Sequence, residues 1–130
     1  MNELQKQILI IDDDETHLAS TRGILQAEGY SVYAHIGGFG ATNAARQVRP
    51  DLILLDINMP GLSGENLISV LQANASTRDI PVVFYSSNDE DILRTTVRRL
   101  GAKGYISKGN IPALRSRVAQ YLRNEAGGPA

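Results

Sequence analysis

The sequence contains no cysteine. That absence excludes disulfides, zinc–thiolate sites and thiol nucleophiles. Histidine is scarce: His17 and His35 are the only two, too few and too far apart for a histidine metal cage. Neither stands at the end of an apolar run, and both read as surface residues. An excess of charge is also missing. The net charge of -1 gives no reason to expect nucleic acid or a membrane surface as a partner. No apolar run approaches the roughly 18 residues of a membrane span, and the N-terminus lacks the apolar core of a secretory signal. Repeats and long linkers are absent too. At 130 residues the chain suits one domain with one core. The expectation is a cytoplasmic domain over residues 1–123, with Asn124–Ala130, rich in Gly and Ala, as a disordered tail.

What is present is an alternation. Five short apolar runs, Ile8–Ile11, Ser31–Ala34, Leu52–Leu55, Val82–Tyr85 and Gly104–Ser107, are separated by helical patterns. The runs are continuous rather than alternating, which predicts strands buried on both faces, as in a parallel sheet. Helices are predicted over 15–28 after the cap candidate Asp14, over 41–48, over 64–74 after Ser63, over 89–100 with Ile92, Val97 and Leu100 on one stripe, and over 111–123 after Asn110. In the last, Leu114, Val118, Tyr121 and Leu122 fall on one face. Strand and helix alternating five times predict an α/β layered fold.

Ligands in open parallel sheets bind beyond the carboxyl ends of the strands. The residues just after each run are Asp12, Asp13 and Asp14, then Asp56, then Ser86, Ser87 and Asn88, and finally Lys108. Clustered carboxylates repel by several kcal/mol at an effective dielectric near 20. A hard cation among them offsets this, and Mg²⁺ favours such oxygen ligands. A lysine opposite leaves room for an anion between two positive charges. Asp56 projecting there can act as a nucleophile toward phosphorus, with Lys108 and Ser86 meeting the phosphoryl oxygens. Singly, each residue has a plainer reading: Asp13 and Asp14 as helix caps, Asp56 opening a turn, Ser86 and Ser87 capping a helix, Lys108 as surface charge. Their shared placement at one end of the sheet carries the argument.

The stretches Ile8–Glu15, Leu52–Gly64, Ile80–Ser86 and Gly101–Lys108 closely resemble the four motifs of response-regulator receiver domains, in the same order. The resemblance runs from about Gln7 to Leu122. It implies a flavodoxin-like doubly wound fold: a five-stranded parallel sheet in the order 2-1-3-4-5, with five helices. It also implies a phosphorylation switch in a two-component phosphorelay. Asp56 matches the phospho-acceptor, supplied by a histidine kinase or a phosphotransfer protein. Asp12 and Asp13 match the acid pair that holds Mg²⁺, Asp13 more directly and Asp12 often through water. Asn58 matches the position whose backbone carbonyl completes the metal shell. Lys108 matches the phosphate-binding lysine, Ser86 the switch hydroxyl and Tyr105 the aromatic switch. The output face is the one formed by the fourth helix, fifth strand and fifth helix, which regulates a downstream protein and can also pair two copies of the chain.

The resemblance implies no enzyme beyond self-phosphorylation and slow self-dephosphorylation. A phosphatase or dehalogenase-like hydrolase would carry a second acid two residues after the nucleophile, where this chain has Asn58. A receiver used only as a scaffold would have lost site residues, and all are present. One position departs from the pattern: Gly109 stands where the family usually has proline, joined through a cis peptide. Arg94, Arg98, Arg99, Lys103, Arg115 and Arg117 fall near the output face, as solubilising charge or as a dock for an acidic partner. The glycine-rich stretch Gly37-Gly38-Phe39-Gly40 has no assigned role.

Overall fold

The computed structural model describes residues 5–127. Ten elements alternate: β1 (Gln7–Asp12), α1 (Glu15–Ala27), β2 (Ser31–Ile36), α2 (Ala41–Val48), β3 (Leu52–Leu55), α3 (Gly64–Ala73), β4 (Val82–Ser86), α4 (Glu90–Leu100), β5 (Gly104–Ser107) and α5 (Ile111–Gly127). All strand pairs are parallel, and the order is β2-β1-β3-β4-β5, as expected.

The apolar runs explain the layering. Successive strand side chains point to opposite faces. Leu9, Ile11, Ile53, Leu55 and Phe84 pack with α2, α3 and α4 through Ala41, Ala45, Leu67, Ile68, Leu71 and Leu93. Ile8, Ile10, Leu52, Leu54, Val83 and Ile106 pack on the other face with α1 and α5 through Leu18, Leu25, Leu114, Val118 and Leu122. Each of the larger aliphatic and aromatic side chains contributes about 1.5–3 kcal/mol on burial. The inner strand β3 is buried throughout, whereas the edge strand β2 leaves Tyr33 and Ile36 exposed.

Local sequence sets the helix ends. The Asp14 carboxylate accepts from the His17 amide at 3.1 Å, Ser63 Oγ from Asn66 at 3.2 Å and the Asn110 side chain from Ala113 at 3.1 Å, each meeting an amide the first turn cannot pair. Gly101, with φ of 73°, ends α4 in the left-handed region. Asp14, not Asp13, is therefore the cap of α1. The stripe expected on α4 is corrected: Ile92 is half exposed, and Leu93 and Thr96 are buried instead. Leu93, Thr96, Val97 and Leu100 form the i, i+3, i+4, i+7 face. Thr96 escaped notice because it is polar, and its hydroxyl is satisfied by the Ile92 carbonyl at 2.7 Å. Helix α5 runs on to Gly127, past the expected end at 123. Glu125 and Ala126 favour helix. Of the expected tail, residues 128–130 lie outside the described residues.

Candidate functional site

The chain leaves β1 outward to β2 and returns to β3 on the other side of β1. That makes the C-terminal ends of β1 and β3 the switch point of the sheet. Asp12 is the last residue of β1, and Asp56 follows β3 directly. The Asp56 amide donates to the Ile11 carbonyl at 3.0 Å, fixing the two ends side by side. Both carboxylates are buried.

Lys108 reaches in from beyond β5, held by its amide on the Ser86 carbonyl at 3.0 Å. Its Nζ lies 2.8 Å from Asp12 Oδ2 and 3.2 Å from Asp56 Oδ2. Gly109, with φ of 89°, therefore delivers the lysine into the pocket without a proline; the described residues contain no cis peptide. One carboxylate oxygen from each of Asp12, Asp13 and Asp56 lies within 4.8 Å of the others. Only Asp13 of the three is exposed, which leaves the cluster open to solvent. This all-oxygen donor set, two buried acids and one exposed, suits a hard divalent ion that keeps some of its waters.

Electrostatics push the two buried acids apart. For Asp12, burial favours the neutral form, but hydrogen bonds from Lys108 and the Asp14 amide, with the nearby charges of Lys108 and His17, outweigh it and hold its pKa below the usual value. For Asp56, burial and the Asp12 charge together outweigh Lys108 and the Asn58 amide, and its pKa is raised. Burial lowers Lys108, but Asp12 and Asp56 more than restore it, so the ammonium is held above its usual pKa. The result is a fixed cation beside a carboxylate of increased basicity.

Two features lay outside the sequence reading. His17 is not a surface residue: its Nδ1 is 3.1 Å from Asp12 Oδ2, and its ring packs 5.4 Å from that of Tyr85. The signal was its place three residues after the cap Asp14, where the first helical turn carries a side chain back toward the strand end. His35 lies at the β2 end, with Nε2 on the Phe39 carbonyl at 2.8 Å. The second feature is a polar bridge over the pocket. The Asn58 side-chain amide donates to Asn88 Oδ1, which also accepts from buried Ser86 Oγ at 3.2 Å. Ser87 is exposed.

Tyr105 lies on β5 between two helices. Its hydroxyl donates to Glu90 Oε1 at 2.9 Å and accepts from Arg94 at 3.4 Å, both on α4. The Arg117 guanidinium of α5 sits 5.5 Å from its ring centre. Of the basic residues expected near this face, Arg94 and Arg117 meet Tyr105, whereas Arg99 and Arg115 turn to other helices. Arg99 pairs with Glu65 on α3 at 3.1 Å, and Arg115 with Glu28 at the end of α1 at 3.7 Å.

The family model of the response regulator receiver domain matches residues 8–119. The chain belongs to that family. Among its relatives, Protein PilH of Pseudomonas aeruginosa is 34% identical over 102 residues, covering 78% of this chain and 84% of that one. The polar-differentiation response regulator DivK of Brucella anthropi is 32% identical over 124 residues, 92% of this chain and 98% of DivK. The BeF3-activated receiver domain of Klebsiella pneumoniae RstA superposes with a TM-score of 0.81 at 30% identity, covering 90% of this chain and 98% of that one. This receiver domain is thus a component of two-component signalling, a role that entails a kinase or phosphotransfer protein and a downstream target. No helix among its described residues is long and apolar enough to cross a membrane.

Proposed function

We propose that this receiver domain is a switch phosphorylated on Asp56. The observation that carries the reading is the Lys108 ammonium held against both buried acids of the switch point. A carboxylate there meets a fixed positive charge that can equally receive a phosphoryl group. Asp56 Oδ attacks the phosphorus of a phosphohistidine on a histidine kinase or phosphotransfer protein. A P–O bond forms, the P–N bond breaks with its electron pair going to the ring nitrogen, and the imidazole, which keeps the proton on its other nitrogen, leaves neutral. Lys108 then transfers its contact from Asp56 to a phosphoryl oxygen. Asp12, Asp13, Asp56 and the Asn58 carbonyl would hold Mg²⁺. Its chemistry, when bound, is neutralisation of charge on the phosphoryl oxygens. Reversal is hydrolysis: water adds to phosphorus and the acyl P–O bond breaks. No separate substrate is turned over, so the domain is not an enzyme in the ordinary sense.

The output follows from two side chains. Ser86 Oγ, now on Asn88, turns to donate to a phosphoryl oxygen. Tyr105 then gives up Glu90 and Arg94 and turns into the space vacated. Because its hydroxyl ties α4 and its ring meets Arg117 of α5, this rearranges the α4-β5-α5 face. That is a two-state shift biased by a covalent charge. The face regulates a downstream protein or pairs with a second copy, in the cytoplasm and without direct contact to nucleic acid. The test is beryllofluoride or acetyl phosphate with Mg²⁺, followed by amide NMR. Shifts at Asp56, Lys108 and Tyr105 are expected, with labelling abolished by Asp56→Asn. An unchanged spectrum overturns the reading.

A further inference from the structure

The sheet fixes the backbone of Asp12. The Gly37 amide donates to the Asp12 carbonyl at 2.8 Å, and the Asp56 amide to the neighbouring Ile11 carbonyl at 3.0 Å. The sheet leaves the rotation of the carboxylate undecided. Among the described residues three donors settle it. The Asp14 amide donates to Oδ1 at 3.0 Å. Oδ2 accepts from Lys108 Nζ at 2.8 Å and lies 3.1 Å from His17 Nδ1. An ionised carboxylate only accepts, so this contact assigns a proton to Nδ1.

The His17 contact closes a circuit. The Asp14 carboxylate accepts from the His17 amide at 3.1 Å, His17 Nδ1 returns to Asp12 Oδ2, and Asp12 Oδ1 accepts from the Asp14 amide. Asp13 stands in the chain between the two acids so joined. The imidazole has little room to turn. Its ring centre is 5.4 Å from that of Tyr85, itself 2% exposed. The other side-chain donor is less constant. Lys108 is shared with Asp56 at 3.2 Å, and on the phosphorylation reading it moves to a phosphoryl oxygen. His17, seated on the first turn of α1, takes no part in that exchange.

We propose that His17 is a positioning residue that donates to Asp12 Oδ2 and keeps the Asp12 carboxylate aimed at a divalent cation among Asp12, Asp13 and Asp56. The inference rests on the reading of those acids as the Mg²⁺ site. Without the imidazole donor, Lys108 is the one side chain left on Asp12, and the carboxylate follows the ammonium rather than the cation. Hydrogen-bond partners of metal ligands typically contribute about 10–100-fold to metal affinity. With the Asp14 amide still in place, the low end is expected.

The experiment titrates Mg²⁺ and reads the amide shifts of Asp13, Asp56 and Asn58 by NMR. His17→Phe and His17→Leu both lose the donor, and the first keeps a ring against Tyr85. His17→Asn loses the ring but keeps an N–H donor as near the backbone as Nδ1. The Phe and Leu variants should raise the Mg²⁺ Kd about tenfold, whereas His17→Asn should stay within about threefold of wild type. Wild type whose amides ignore Mg²⁺ overturns the metal reading and this inference with it. Wild type that responds, alongside an unchanged Kd without the donor or an equal loss in all three variants, overturns the positioning role alone.

Discussion

Asp56 ionises at a cost to the fold. Its folded-state pKa is raised, chiefly by burial and by the Asp12 charge, so the folded protein binds a proton more tightly than the unfolded chain. The penalty is complete above the raised pKa and disappears as pH falls below the ordinary value of 3.8. Asp56→Asn should therefore stabilise the protein at pH 7, by on the order of 1 kcal/mol, as relief of a destabilised functional site does. Urea unfolding at pH 7 and again near pH 3 should show the gain and then its loss. Asp12 has the opposite sign: its stabilisation is present above 3.8 and is lost as pH falls through its lowered value. Lys108 stabilises below 10.5, with loss only as pH rises through its raised value. Truncation by Lys108→Ala leaves two buried carboxylates without their cation. It should cost about 3 kcal/mol in denaturant unfolding and abolish the beryllofluoride response.

The elements that carry these residues depend on close backbone contact. A Cβ on Gly64, the first residue of α3, would lie 2.1 Å from the Asp56 carbonyl oxygen. Gly64→Ala must push α3 off the end of β3, costing about 2 kcal/mol or more. The Asp56 amide should shift in the NMR spectrum even before any ligand is added. On α4 the contrast between neighbours tests the corrected stripe. Leu93→Ala should cost about 2–5 kcal/mol, whereas Ile92→Ser should stay within roughly 0.5 kcal/mol, both read from urea midpoints. Residue patterns gave most of these elements because strands buried on two faces need continuous apolar runs, and caps such as Asp14 and Ser63 act within a single turn. The Ile92 stripe failed because a satisfied threonine can occupy a core position without any sign of it in polarity.

For the whole molecule, a parallel, layered sheet was legible because each inner strand must bury both faces, whereas the strand order came from the family resemblance. The pocket was legible as a set of residue types, since the strand ends deliver Asp12, Asp56, Ser86 and Lys108 to one side. Its wiring was not. The contact of Asn58 with Asn88 joins different loops, and its geometry exists only once the sheet has closed. The dispersal of Arg99 and Arg115 toward Glu65 and Glu28 likewise depends on which helices become neighbours. The order of the sheet has a kinetic corollary. Its negative groups hang from β1 and β3, each flanked on both sides, while the ammonium follows β5, a four-residue strand with β4 as its single neighbour. Fraying should begin at that margin, so a partly opened molecule keeps its repelling acids and loses the charge that would attract a phosphate. Only the fully zipped sheet would then be competent to take up the signal.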